Sequence, residues 1–594
     1  MEQTHVALRV GAPIDWNARP NGDREWNHSL RRMFHLIDLA AAYRITREDL
    51  FLATWVDHVG SFTAWIDRNG RDRDNLLNCA IRTRNIVASL DVIGAGVQSD
   101  APVRVGREVT RGDVAHLARH LGEKVGNWEF FISTSILIAA RYFDFVHDRE
   151  AASAERRLAS ILETEINEDG VLLEAVPRYH GQVVLALLEY VMSCTSNGLE
   201  PGAEVAGALP RLIRALMGVT DPEGLVFPIG DSDRMDPGYI LAFARSIPGL
   251  RLGNDITSRP PATTYFPATG WSVVRPAAGE SEPMAVLLDH SPKPAAPRNW
   301  HSHADELQVL VHTASGPLLA DPGRFTYGSC VWTIPVVGRP VAAGSRLDRF
   351  FGRLRPRDGR ARGQSWREYY RSTRVHSTAM IDGAELPGYG APHAASSAID
   401  SSPPVEMGEL TVVWARRRWG DSDDASADRL PQHSHTRSVV VGSNVVLVWD
   451  EFECGAEVSW RHTFQFGEGV SASRESDTAI ALQRSGRRTS TMGIFSGTPG
   501  FSSVFVERSE VSPAYNLRTA ADSVRTVSKS ATRATVLAAL YVGESPAVWS
   551  LDGELGDEST VALRLRDSST GEHRIGLRLE RNSSRGADEP LRIQ

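Results

Sequence analysis

Lysine is almost missing from this chain. Lys124, Lys293 and Lys529 are the only three, so arginine supplies 62 of the 65 basic side chains. A GC-rich genome produces such a bias, but it has a chemical consequence: any anion gripped here meets guanidinium forks, which match carboxylate or sulfate. Cysteine is scarce too. Cys79, Cys194, Cys330 and Cys454 are scattered and form no CxxC pair, which argues against a thiolate zinc site or a disulfide scaffold. Positive charge is not in excess, since 73 acidic side chains give a net charge of −8. A nucleic-acid binder held by a global positive field is thereby excluded, although a local basic cleft for an anionic ligand is not. No apolar run reaches the ~18 residues of a membrane span. The start, MEQTHVALRVGAPIDWNARP, has no basic segment followed by an apolar one. A cytoplasmic location is expected for the sequence as given, and a periplasmic or secreted one if its start is truncated.

What is present is an ordinary globular balance, 42% hydrophobic and 23% charged over 594 residues, in a length suited to roughly two to four domains. Across residues 1–262 apolar side chains recur at spacings of three and four. The stretches are Arg32–Tyr43, Glu48–Ile66, Asn75–Leu90, Asp113–Leu121, Trp128–Phe145, Ala154–Glu165, Tyr179–Ser193, Glu204–Met217 and Pro237–Arg245. Stops such as Asn69-Gly70 and Asn197-Gly198 separate them, and the pattern predicts stacked helical hairpins. Arg259–Thr264 reads as a linker. Residues 266–594 carry short runs such as WSVVR, MAVLLD, LQVLVH and NVVLVWDEF between turn residues, which predicts antiparallel β-structure. A smaller C-terminal β sub-domain fits the length of that part. DGRARGQSW and DSDDASADRLP read as long loops.

Four constellations could carry chemistry. In Asn299–Asp305 (NWHSHAD) the pair His301 and His303 has i, i+2 spacing, which puts both imidazoles on one face of an extended segment. Asp321 can return beside His303 through a hairpin, and His376 is a third candidate; two imidazoles and a carboxylate suit Zn²⁺. Unrelated surface histidines are the plain alternative. In DGVLLEAVPRYH, Pro177 marks a helix start, placing Tyr179 and His180 in its first turn. A helix N-terminus favours anions, a developing tyrosinate included; the plain alternative is an amphipathic surface residue. Asn127, in Gly126–Glu129, reads as an N-cap or as an amide donor to a substrate carboxylate, with Trp128 as a stacking platform. Phe227–Asp233 (FPIGDSD) is rich in carboxylates; it could bind a cation or hold the helical domain together, and reads first as structural.

DGVLLEAVPRYH, NWHSHADELQVLV followed by LLADPGRFTYG, and RVHSTAMIDG, in that order, resemble the heparinase II/III-like polysaccharide lyases over roughly residues 30–470. The resemblance implies an incomplete (α/α) toroid followed by a large antiparallel β-sandwich, with an active cleft between them. It implies β-elimination at a uronic acid of an anionic polysaccharide or oligosaccharide, leaving a 4,5-unsaturated sugar. By the same resemblance Tyr179 matches the catalytic tyrosine, serving as base and then acid, while Asn127 and His301 neutralise the uronate carboxylate. Free tyrosine titrates near ~10, so its ionisation would need help from Arg178, a histidine such as His180, or the helix N-terminus. Trp128, Arg178, Glu129 and Tyr327 are expected at the substrate. His303, Asp321 and His376 match the family's metal ligands, and the metal is expected to be a structural zinc.

The chain departs from the family pattern at Trp128, where several relatives have histidine. A second catalytic tyrosine falls to Tyr327 or Tyr370. Arg353–Trp366 is the candidate loop for closing one end of the cleft. Two other readings stand beside the lyase: an oligosaccharide-binding relative without turnover, and a metal-dependent glycan hydrolase that activates water at an open zinc position.

Overall fold

The computed structural model describes residues 13–20, 23–94, 100–254, 256, 259–278, 282–293, 298–328, 330–334, 339–342, 365–381, 399–419, 432–497, 500–544, 547–555, 560–567, 570–581 and 591–593. Most of Arg353–Trp366, the loop 421–431 and the Asp-Gly turn after His376 lie outside these residues.

Among the described residues ten helices come first: α1 (Arg24–Arg32), α2 (His35–Thr46), α3 (Asp49–Asn69), α4 (Leu76–Ile93), α5 (Ala101–Arg119), α6 (Asn127–Tyr142), α7 (Asp148–Thr164), α8 (Pro177–Ser196), α9 (Ala203–Gly218) and α10 (Gly238–Ser246). Two features escape the periodicity. The charged α1, REWNHSLRR, has few apolar residues to reveal it, and α5 begins a dozen residues before the predicted Asp113, across a polar first half. The even-numbered helices α2, α4, α6 and α8 pack each against the next, while α3, α5, α7 and α9 lie against them from outside. This is the double ring of an incomplete (α/α) toroid. The inner position explains α4, which buries residues on every side, from Leu77 and Cys79 to Arg82 and Asn85; only a helix surrounded by others does that.

A five-stranded antiparallel sheet follows, in order β1 (Thr263–Phe266), β2 (Trp271–Val274), β3 (Met284–Asp289), β4 (Gln308–Thr313), β5 (Gly316–Leu319). Its two faces serve different cores. Trp271, Val273, Ala285, Leu287 and Leu310 join the helical core, whereas Val274, Val286, Leu288, Val309 and Val311 join the core of the later sheets. Side chains alternate across a strand, so a sheet buried on both faces needs apolar residues on both, and MAVLL and VLV supply them in β3 and β4. Beyond it stands a nine-stranded antiparallel sheet built around the strands His433–Val441, Val445–Val458 and Ala531–Val542. A four-stranded sheet containing Trp460–Gln465, Phe501–Ala514 and Leu517–Ser528 shares its core. A further four-stranded sheet within Ala547–Ile593 packs on the outer face of the nine-stranded one through Trp549, Leu563 and Leu565. Among the described residues no helix is long and apolar enough to cross a membrane.

Candidate active site

The toroid supplies two side chains from helix starts. Helix α8 opens with Pro177 in its first turn, where a missing N–H costs nothing, and that start aims Tyr179 into the space between the two halves. Helix α6 opens at Asn127. Its cap is Gly126, at φ 63°, so the expected N-cap role for Asn127 is corrected: it is the first helical residue. The Asn127 backbone N–H donates to Glu174 Oε1 at 3.1 Å. A Cβ at position 126 would stand 1.8 Å from that oxygen, so only glycine lets Glu174 cap this helix. Glu174 is held there by Ala175, itself in left-handed backbone at φ 52°, a strained state that an L-residue keeps only under constraint. With its backbone satisfied, the Asn127 carboxamide makes no hydrogen bond among the described residues and lines the cleft.

The β half supplies His301, at the end of a 3₁₀ turn (Arg298–His301), and Tyr327, on the loop after β5. The His301 ring lies against the Tyr179 ring, centroids 4.4 Å apart. Tyr327 and Tyr179 share a hydrogen bond through their hydroxyls. Arg324, fully buried, donates from Nη1 to both phenol oxygens, at 3.3 Å to Tyr179. A guanidinium facing a phenol oxygen favours the ionised form. Arg324 is in turn fixed by Asp233, with Nη2 to Oδ2 at 2.7 Å, and Arg178 pairs with the same carboxylate. Asp231, two residues earlier, accepts from His301 Nδ1 at 2.8 Å and His303 Nε2 at 3.0 Å, and pairs with Arg367. Burial works against the charge on Asp231, but Arg367 and the two imidazole N–H groups hold its carboxyl well below the usual carboxylate range. An ionised carboxylate only accepts, so His301 is protonated at Nδ1 and turns Nε2 to the cleft, 3.9 Å from Glu174 Oε2.

The cleft encloses about 320 Å³, enough for a sugar unit. Helices α2, α4, α6 and α8 line it with Ile37, Arg84, Asn127, Trp128, Phe131 and Gln182, and His301 and Tyr327 close it from the sheet side. Its two wall arginines are already matched: Arg84 pairs with Glu189, and Arg32 lies 3.8 Å from Glu25. An amide, an imidazole and an arginine-flanked phenol pair therefore converge on one space. Together they can bind a carboxylate and move a proton.

Behind His301 lies a second, sealed cluster. His303, Asp305, Asp321 and His376 are all buried, with ligand atoms within 4.8 Å of one another. The hydrogen bonds behind the rings fix their tautomers. His376 Nδ1 donates to the Ser372 carbonyl at 2.8 Å, and His303 Nε2 donates to Asp231. The unprotonated nitrogens, His303 Nδ1 and His376 Nε2, are thus left facing each other at 3.2 Å. Two lone pairs at that distance call for a cation between them. Burial, reinforced by the nearby Asp305 charge, pushes the Asp321 carboxyl well above its usual range, and Asp305 Oδ2 is buried without a hydrogen-bond partner. The four residues fit a metal ion. Asp305 stands in the NWHSHAD run, yet its role was not read there, because local spacing does not say which carboxylate turns inward.

Three expected site residues are elsewhere. His180 faces away from the cleft: Nε2 donates to the Leu212 carbonyl of α9 at 2.9 Å, and burial lowers its pKa to about 4. Glu129 is fully buried and accepts from Gly122 N at 2.6 Å and Arg157 Nε at 3.1 Å, so it braces the turn before α6. Arg178 is committed to Asp233 and does not reach the phenol of Tyr179 as expected; Arg324 occupies that place. Of the two candidate second tyrosines, Tyr327 is in the cleft, while Tyr370 is fully buried against Phe325 and Trp366. Phe227–Asp233, read as structural, ties both halves of the site together through Asp231 and Asp233.

Residues 2–237 match the family model described as heparinase II/III N-terminus, and residues 258–539 match that of heparinase II/III-like, C-terminal. No curated protein matches the chain. A solved heparinase III aligns with a TM-score of 0.69 at 16% identity, over 95% of this chain and 85% of that one. Heparan sulfate lyase HepC from Pedobacter heparinus aligns with a TM-score of 0.60 at 18% identity, over 96% of this chain and 86% of the other. At such identities the likeness is one of fold.

Proposed function

The chain belongs to the heparinase II/III family of polysaccharide lyases, and from that premise we propose that Asn127, Tyr179 and His301 carry out β-elimination at a uronic acid of an anionic polysaccharide or oligosaccharide. The observation that supports this most is the meeting of a phenol from α8 with an imidazole from the sheet half, their rings in contact over a shared cleft. The chemical difficulty is the C5 proton. It lies α to a carboxylate, and removing it places a second negative charge beside the first. Donors aimed at the carboxylate must take up that charge. The uncommitted Asn127 carboxamide supplies one. His301 supplies the other from Nε2 when protonated, with Asp231 behind it stabilising the imidazolium. Tyr179, ionised beside Arg324, removes H5. The C5–H electrons form the C4=C5 bond, the C4–O4 bond breaks, and the phenol returns its proton to O4. Tyr327 shares that proton through its hydroxyl contact. Trp128 offers the sugar an apolar face.

We assign zinc to the cluster of His303, Asp305, Asp321 and His376. Bound there, it would join the segment before β4, the Asp321 loop and the His376 turn, and neutralise the crowded carboxylates. Nothing in the elimination passes through it.

Incubation with heparan sulfate, alginate, hyaluronan and chondroitin, followed by absorbance of the new double bond, tests the reading. A rise with at least one polymer is expected, with kcat in Tyr179→Phe lower by about 10³-fold. Products without the chromophore would point to hydrolysis, and binding without products to a non-catalytic relative.

A further inference from the structure

Asp231 touches both constellations. It comes from the toroid, on the Phe227–Asp233 turn, and its partners come from the sheet half. Gly230, at φ 60°, brings the turn so near that a Cβ there would stand 2.6 Å from the His301 carbonyl, which accepts the Asp231 N–H at 3.0 Å. The carboxylate is fully buried; the Arg367 fork spans both its oxygens, and each oxygen takes one imidazole besides, Oδ1 that of His303 through Nε2 and Oδ2 that of His301 through Nδ1. A carboxylate is rigid and planar, so placing one oxygen places the other. His303 presents its remaining nitrogen to His376 across the sealed cluster. When a cation fills that gap, the His303 ring is fixed, and its N–H joins the Arg367 fork in setting the tilt of the Asp231 carboxylate. Without one, the opposed lone pairs of His303 and His376 repel, and a turned His303 ring withdraws its N–H from Oδ1. Outer partners of metal-bound histidines orient their ligands in this way, and their loss costs about 10–100-fold in affinity or activity.

We infer that Asp231 is a positioning residue that makes the orientation of the His301 imidazole depend on occupancy of the metal cluster. The inference rests on the lyase reading for its kinetic consequence and on geometry alone for the coupling. Asp231→Asn is the first test, because an asparagine side chain keeps one acceptor oxygen where two imidazole N–H groups and the Arg367 fork share two. The expected result is a kcat lower by about 10–100-fold with KM little changed, and zinc affinity, read by chelator competition, lower by a similar factor. The second readout needs no activity: the rate at which diethyl pyrocarbonate modifies His301, followed by mass spectrometry of its peptide. Stripping the metal from the unmutated protein should slow that modification, and in Asp231→Asn the rate should no longer respond. An unchanged His301 rate on stripping the unmutated protein would overturn the coupling, whether or not the variant folds. So would an Asp231→Asn protein of normal zinc affinity. If no polymer is cleaved at all, the lyase reading fails while the modification experiment still decides the coupling.

Discussion

The two polar constellations that meet at Asp231 are built on opposite terms. In the sealed cluster, His303, Asp305, Asp321 and His376 are all buried, and hydrogen bonds behind the two rings leave their unprotonated nitrogens pointing inward at each other. In the cleft, Asn127, Tyr179, His301 and Tyr327 border open volume, and Asn127 keeps its carboxamide uncommitted. Burial leaves the first group intolerant of losing a member, since a buried charge without partners is expensive. Openness lets the second group trade protein contacts for a ligand. The first should therefore register mutations as stability, the second as rate.

That contrast can be broken in three places. His376→Ala should have the largest effect, taking an imidazole from a dry cluster in which Asp321 lies beside Asp305 and only Lys293 offsets the charge on Asp305. Loss of bound metal and about 3–5 kcal/mol of stability are expected, read from metal analysis and the urea midpoint. Asn127→Ala should do the reverse. It removes a donor to developing charge, so kcat should fall about 10²–10³-fold while the urea midpoint stays in place. If it unfolds the protein, the cleft is not the permissive region described.

The smallest effect sharpens the comparison within one helix turn. His180 sits next to Tyr179 but belongs to the core, with a pKa lowered to about 4. Above about pH 6.5 neither state is protonated there and the histidine adds no pH dependence. Below it the unfolded chain gains a proton that the folded chain refuses, so stability falls as the pH drops towards 4. At pH 5 the loss is about 2 kcal/mol. His180→Gln keeps a donor for the Leu212 carbonyl and does not titrate, so the shift of its urea midpoint between pH 7.5 and 5 should be smaller by that amount, with kcat at pH 7.5 unaffected. A kcat loss comparable to that of Tyr179→Phe would return His180 to the catalytic group.

His180 also shows where sequence reading reaches its limit. Pro177 fixes the helix start, and hence that Tyr179 and His180 lie in its first turn. Consecutive helical residues point about 100° apart, and choosing which of the two meets the cleft requires knowing where α9 lies. Glu129 fails for the same reason. Arg324 and Asp233 carry no local signature, because they gain meaning only from partners on the other half of the molecule; Arg324 and Tyr179 are 145 residues apart.

Most helices of the toroid, the alternating strands and the start of α8 follow from the chain alone, because periodicity, proline and glycine act over a few residues. Tertiary structure decided the rest: that Arg324 rather than Arg178 faces the phenol, that Asp305 joins the cluster, and that Asp231 is shared between a histidine of the cleft and one behind it. Charges and hydrogen bonds work over a few ångströms of space, and in a chain folded from two halves those ångströms join residues more than a hundred positions apart.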